Sequence, residues 1–123
     1  MDSYPGPFGQ VLINFVNNAL LHAFEGPGGM MVLSATRVDG DRVRIEFRDD
    51  GRGIAPEHLA RIFDPFFTTR MGQGGTGLGL NIAYNIVTTL LGGTIRVDSV
   101  VGEGTVFTMD LPLRAVVVAE VQV

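Results

Sequence analysis

The chain has 123 residues, 46% of them apolar, which suits one globular domain with a single core and leaves no room for two. A formal net charge of −4 argues against a nucleic-acid partner, whose binding domains carry a basic surface. Cysteine is absent, which excludes disulfides and thiolate metal ligands; no apolar run is bilayer-length and Met1-Asp2-Ser3 does not open a signal peptide, so a cytoplasmic chain without membrane contact is expected.

Residues 1–7 are turn-like around Pro5 and Pro7. From Phe8 to Phe24 the residues Val11, Leu12, Phe15, Val16, Ala19, Leu20 and Ala23 recur at three-and-four spacing, which predicts a helix with one apolar stripe. Asn14, Asn18 and His22, four apart, stack on a line bordering that stripe. Asparagine is costly inside a helix, so the line is either a solvated face or a set of hard oxygen ligands suited to Mg²⁺ and substrate phosphates. After a loop over Glu25 to Gly29, Met30 to Val38 reads as a strand, Asp39-Gly40 as a hairpin turn and Arg42 to Asp49 as the returning strand. Val43, Ile45 and Phe47 share a face, and period two puts Asp49 on it. A carboxylate aimed at a core must find donors or shift its pKa. Either it caps the glycine turn Asp49-Asp50-Gly51-Arg52-Gly53-Ile54, or it receives the exocyclic amine of a flat ligand such as adenine. Asp50 falls on the opposite, solvated face.

Pro56 to Ile62 predicts a short helix with His58 facing water. Phe63-Asp64-Pro65-Phe66-Phe67-Thr68-Thr69-Arg70 then sets a hydrophobic anchor beside a glycine loop, with Arg70 either reaching a phosphate or solvated. Gly72 to Leu80 is dense in glycine and feeds a helix over Asn81 to Leu91, which is anion-binding chemistry or a plain flexible loop. The G-x-G-x-x-G spelled by Gly72, Gly74 and Gly77 lacks the preceding strand of a dinucleotide fold, and no P-loop lysine follows it. Gly92-Gly93 stops the helix. Thr94 to Ser99 and Thr105 to Leu111 read as strands whose buried faces carry Ile95, Val97, Phe107, Met109 and Leu111, and Pro112 ends the last one. The Ala115 to Val123 tail is strand-like.

In order, QVLINFVNNALLHAF, DDGRGI, FDPFFTTR and GGTGLGLNIAYNIV, closed by LGGTIRVDSVVGEGTVFTMDLP, resemble the N, first glycine, F and second glycine boxes of a known family. It is the ATP-binding catalytic domain of bacterial two-component sensor histidine kinases, within the superfamily of gyrases, heat-shock chaperones and mismatch-repair ATPases. The match covers residues 8–113, and the F box favours the kinase branch. The resemblance implies an α/β (α+β) two-layer sandwich, a mixed, mostly antiparallel sheet packed on three helices with a flexible ATP lid. It also implies ATP and Mg²⁺ as cofactors. Asn18 would hold the metal with Asn14 assisting, and Asp49 would accept from the adenine amine. Gly51 and Gly53 would shape the base pocket, with Thr105 near the base through water. Gly75, Thr76, Gly77, Leu78 and Gly79 would wrap the phosphates.

Leu21 stands where many members have a lysine, which leaves His22 and Arg70 to balance phosphate charge. Asp50 replaces the usual asparagine, a change expected to be tolerated. The family's upstream strand is missing, and residues 114–123 are an extra strand for that edge or a linker. The implied partners are a histidine-containing dimerisation domain, which receives the γ-phosphoryl, and a response regulator downstream. Neither His22 nor His58 fits as the acceptor, so the chain is not expected to phosphorylate itself. The alternatives are an ATP-gated binding module and an anti-sigma-type serine kinase, both disfavoured by the F box.

Overall fold

The computed structural model describes residues 6–20, 29–65 and 79–112. Helix α1 (Pro7–Asn18) starts behind an extended Gly6 with proline in its first turn, where a missing N–H costs nothing. Strands β1 (Met31–Arg37) and β2 (Arg42–Asp49) form a hairpin. Helix α2 (Pro56–Leu59) is a single turn, shorter than the expected Pro56 to Ile62 because the chain relaxes into turns after Leu59. Helix α3 (Gly79–Asn85) begins two residues earlier than expected and widens into π-helical geometry over Ile86–Leu90. There Thr88 Oγ1 donates to the Tyr84 carbonyl at 2.9 Å, a back-bond that loosens a helix, and Leu91 N–H reaches back to Ile86. The segment stops at Gly92-Gly93, with the Gly93 N–H on the Val87 carbonyl. Strands β3 (Thr94–Val100) and β4 (Gly104–Pro112) complete the described chain.

The sheet order is β1-β2-β4-β3, and every pairing among the described strands is antiparallel. One face carries Val43, Ile45, Phe47, Phe107, Met109 and Leu111 against Val11 and Phe15 of α1, Ala19 just past its end, and Ala83 and Val87 of the α3 segment. Phe15 stacks on Phe107 with ring centroids 4.6 Å apart and leans on Phe47 at 5.7 Å. Burying such a ring contributes roughly 2–3 kcal/mol. The other face is polar: Arg44 pairs with Asp110 at 2.8 Å, and Arg96 reaches the same carboxylate at 3.5 Å. Strand β1 is exposed along its whole length, Leu33 included, so its apolar composition is not matched by burial.

Candidate functional site

Strand register assembles the first half of the site. Asp49 pairs with Thr105, and Thr105 with Ser99, so the three form one polar row across β2, β4 and β3 on the helix-facing side. Asp49 and Thr105 are each only 4% exposed. Burial pushes the Asp49 carboxyl above its ordinary 3.8, opposed by the Gly51 and Thr105 backbone N–H groups and reinforced by Asp50. The Gly51 N–H donates to Asp49 Oδ1 at 2.9 Å, so the carboxylate caps the glycine turn while remaining in the row. Asp50 is exposed, as expected, and its Oδ1 takes the Met30 N–H at 2.7 Å.

Two glycines allow the turn after β2 to lie on the β3–β4 connection. Gly53, at φ +78°, has no room for a Cβ, which would strike the Val100 carbonyl and Val101. Gly104, at φ +117°, is closed in the same way by the backbone of Asp49 and Asp50. Gly102 N–H to the Arg52 carbonyl, 2.9 Å, and Ile54 N–H to Ser99 Oγ, 2.8 Å, hold the two segments together. Ser99 Oγ also donates to the Gly104 carbonyl at 2.8 Å and lies 2.9 Å from Thr105 Oγ1.

The second half is built from helices. Asn14 uses both ends of its amide: Nδ2 donates to the Gly79 carbonyl at 3.0 Å, and Oδ1 accepts from Gln10 Nε2 at 2.8 Å. It thereby ties α1 to the start of α3. Asn18, half-buried one turn on, makes no side-chain hydrogen bond among the described residues, which leaves its amide oxygen available to a hard cation. Among the described residues, a Cβ at Gly79 would meet nothing within 4 Å. Asn81 Nδ2 donates to the Phe63 carbonyl at 3.0 Å, and Phe63 packs on Tyr84 at 5.2 Å. Phe63 is therefore an anchor, as the sequence suggested. His58 is half-buried and engaged, and its backbone carbonyl accepts the Arg61 N–H at 2.9 Å.

Asn14, Asn18, Asp49, Gly51, Gly53, Gly79 and Thr105 all lie among the described residues. The expectations for His22, Arg70, Gly75, Thr76, Gly77, Leu78, the lid and the 114–123 tail lie outside them. Sequence reasoning missed Ser99, Gly104, Gln10 and Asn81. For Ser99 a signal existed: after Ile95 and Val97, period two places this hydroxyl on the buried face, where it needs partners.

Residues 4–115 match the family described as Histidine kinase-, DNA gyrase B-, and HSP90-like ATPase. The sensor histidine kinase ZraS of Salmonella typhi is 45% identical over 90% of this chain and 23% of its own length. Sporulation kinase E of Bacillus subtilis is 38% identical over 89% of this chain and 14% of its own. The chain thus spans less than a quarter of these relatives. Among solved structures, the mycobacterial sensor histidine kinase MprB superposes with a TM-score of 0.73 at 29% identity, covering 86% of this chain and 70% of the other. Full-length ShkA, solved in complex with AMPPNP, gives a TM-score of 0.74 at 37% identity, covering 87% of this chain and 21% of that one. Among the described residues no helix is long and apolar enough to cross a membrane.

Proposed function

We propose that this chain, which belongs to the histidine kinase-, DNA gyrase B- and HSP90-like ATPase family, binds Mg·ATP and donates its γ-phosphoryl to a histidine on a separate dimerisation domain. The observation that carries the reading is Asp49: a buried carboxylate at a strand end, in one row with the Thr105 hydroxyl and beside a glycine turn packed closely on the β3–β4 connection. Such a group recognises an exocyclic amine in a flat ring, which suits adenine. Gly51 and Gly53 shape the wall of that pocket.

Asn18 would hold Mg²⁺ through its amide oxygen, with Asn14 contributing to the metal's water shell. When bound, the metal supplies positive charge against the phosphates. The protein's own part is positioning. Asn14 fixes the start of α3, and residues 75–79 wrap the phosphates with backbone N–H groups. His22 and Arg70 supply the charge that Leu21 does not. Phosphoryl transfer needs little more from a protein than alignment and charge neutralisation, so the acceptor histidine and the acid group acting on it reside on the dimerisation domain. A response regulator downstream receives the phosphoryl group. The chain works in the cytoplasm, within a parent that is free to be membrane-anchored.

Calorimetric titration of the 123-residue chain with ATP, with and without Mg²⁺, tests the site. ATP binding should strengthen with Mg²⁺, vanish in Asp49→Asn and become metal-insensitive in Asn18→Ala. Binding that survives Asp49→Asn unchanged sinks the base assignment. Labelled phosphate should appear on an added histidine-containing dimerisation domain and not on this chain alone; stable label on the isolated chain refutes the division of labour.

A further inference from the structure

We propose that Ser99 is a positioning residue that commits the Thr105 hydroxyl proton, so that the floor of the base pocket selects an amino group over a carbonyl; this rests on the nucleotide reading above. A count of protons carries the inference. The Ser99 hydroxyl owns one proton, and it goes to the Gly104 carbonyl at 2.8 Å, an atom that can only accept. Ser99 Oγ also accepts the Ile54 N–H at 2.8 Å, a group that can only donate. The remaining 2.9 Å contact with Thr105 Oγ1 must therefore be donated by Thr105.

With its proton committed to Ser99, Thr105 Oγ1 offers only lone pairs to anything else. Asp49, its register partner, also offers only lone pairs when ionised. Two acceptors in one row match a ring carrying an amine with two N–H donors, met directly or through a donating water. They leave a carbonyl at the same place facing lone pairs without a donor, the arrangement that polar sites use to reject a near-isostere. Adenine carries the amine; hypoxanthine carries the carbonyl. Ser99 sets this polarity from one strand away and need not touch the base itself.

The experiment compares Mg·ATP and Mg·ITP binding to the full chain and to Ser99→Ala and Ser99→Thr, with thermal melts to confirm folding. Wild type should prefer ATP. Ser99→Ala releases the Thr105 proton to serve a carbonyl, so the ATP-over-ITP ratio should narrow about tenfold, the scale of one neutral hydrogen bond. Ser99→Thr, which keeps the hydroxyl, should restore it. Equal losses for the two nucleotides, or an unchanged ratio, in folded Ser99→Ala overturn the inference.

A second readout needs no nucleotide. In the unliganded chain the Thr105 hydroxyl proton should exchange slowly by NMR, and both it and the Ile54 amide should exchange faster in Ser99→Ala. Fast Thr105 hydroxyl exchange in wild type overturns the proton assignment. Absence of ATP binding with slow exchange condemns the nucleotide reading instead, and with it the selectivity.

Discussion

At the base end of the site, Asp49, Thr105 and Ser99 occupy matched positions on three hydrogen-bonded strands. At the phosphate end, Asn14 and Asn18 project from one helix, and among the described residues Asn14 joins that helix to the Gly79 carbonyl by a side-chain bond. Sheet register fixes the first group to within the tolerance of the ladder, and close backbone contact at Gly53 and Gly104 leaves it no slack. The second group sits on helices packed through Val11, Phe15, Ala83 and Val87, and among the described residues nothing comes within 4 Å of a Cβ at Gly79. A rigid wall suits a flat ring, which is read by shape and hydrogen bonds. An open helix start suits phosphates, which must arrive and react with an acceptor from outside.

The sharpest way to break this contrast is to add one methyl group at each end. Gly104→Ala places a Cβ into the backbone of Asp49 and Asp50 at a φ of +117°. It should cost about 3 kcal/mol of stability or prevent folding. Gly79→Ala meets nothing within 4 Å among the described residues and removes a poor helix former, so the melting temperature should hold or rise slightly. ATP affinity should nevertheless fall, because the added methyl occupies the open space. Thermal melts of both variants decide this. Comparable destabilisation by the two would mean that the ends are equally rigid.

Much of the base end was legible in the sequence because period two is a strong signal: Val43, Ile45 and Phe47 put Asp49 on the buried side, and burial bears that out. The hairpin, the helix stop and the α1 stripe followed from equally local chemistry. Ser99 was within reach of the same rule, but its three partners are Ile54, Gly104 and Thr105, which only the folded chain brings together. The clasp from Asn14 to Gly79 joins residues 65 apart in sequence, so no spacing reveals it. Strand β1 shows the limit of periodicity in another way. Met31, Val32 and Leu33 are apolar, yet strand pattern does not say what covers a face, and here they are exposed.

Asn14→Ala probes the weaker joint. It removes the bonds to Gly79 and Gln10, and the lost stability should be about 1 kcal/mol, since the partners remain reachable by water. Adenosine and ATP then separate the two ends. Asn14→Ala should weaken ATP several-fold and leave adenosine unchanged, because only the triphosphate depends on the α3 start. Calorimetry on both ligands checks it, and a parallel loss for adenosine would join the ends that the structure keeps apart.

The smallest effect concerns the Asp49 proton and links the two roles of that residue. Its carboxyl lies above 3.8 in the folded protein, chiefly because it is buried, so the folded chain holds this proton more tightly than the unfolded chain does. Stability from this group is therefore fully present below 3.8. It falls as pH rises through the window between 3.8 and the raised folded value, and it is level above. ATP recognition should run the other way, because the adenine amine needs the charged form. Measured against wild type without nucleotide, Asp49→Asn should gain relative stability as pH rises through that window, while wild-type affinity for ATP strengthens over the same range. A stability difference that stays constant with pH would mean that the carboxylate does not bear the cost of its burial. The base end would then be no more strained than the phosphate end.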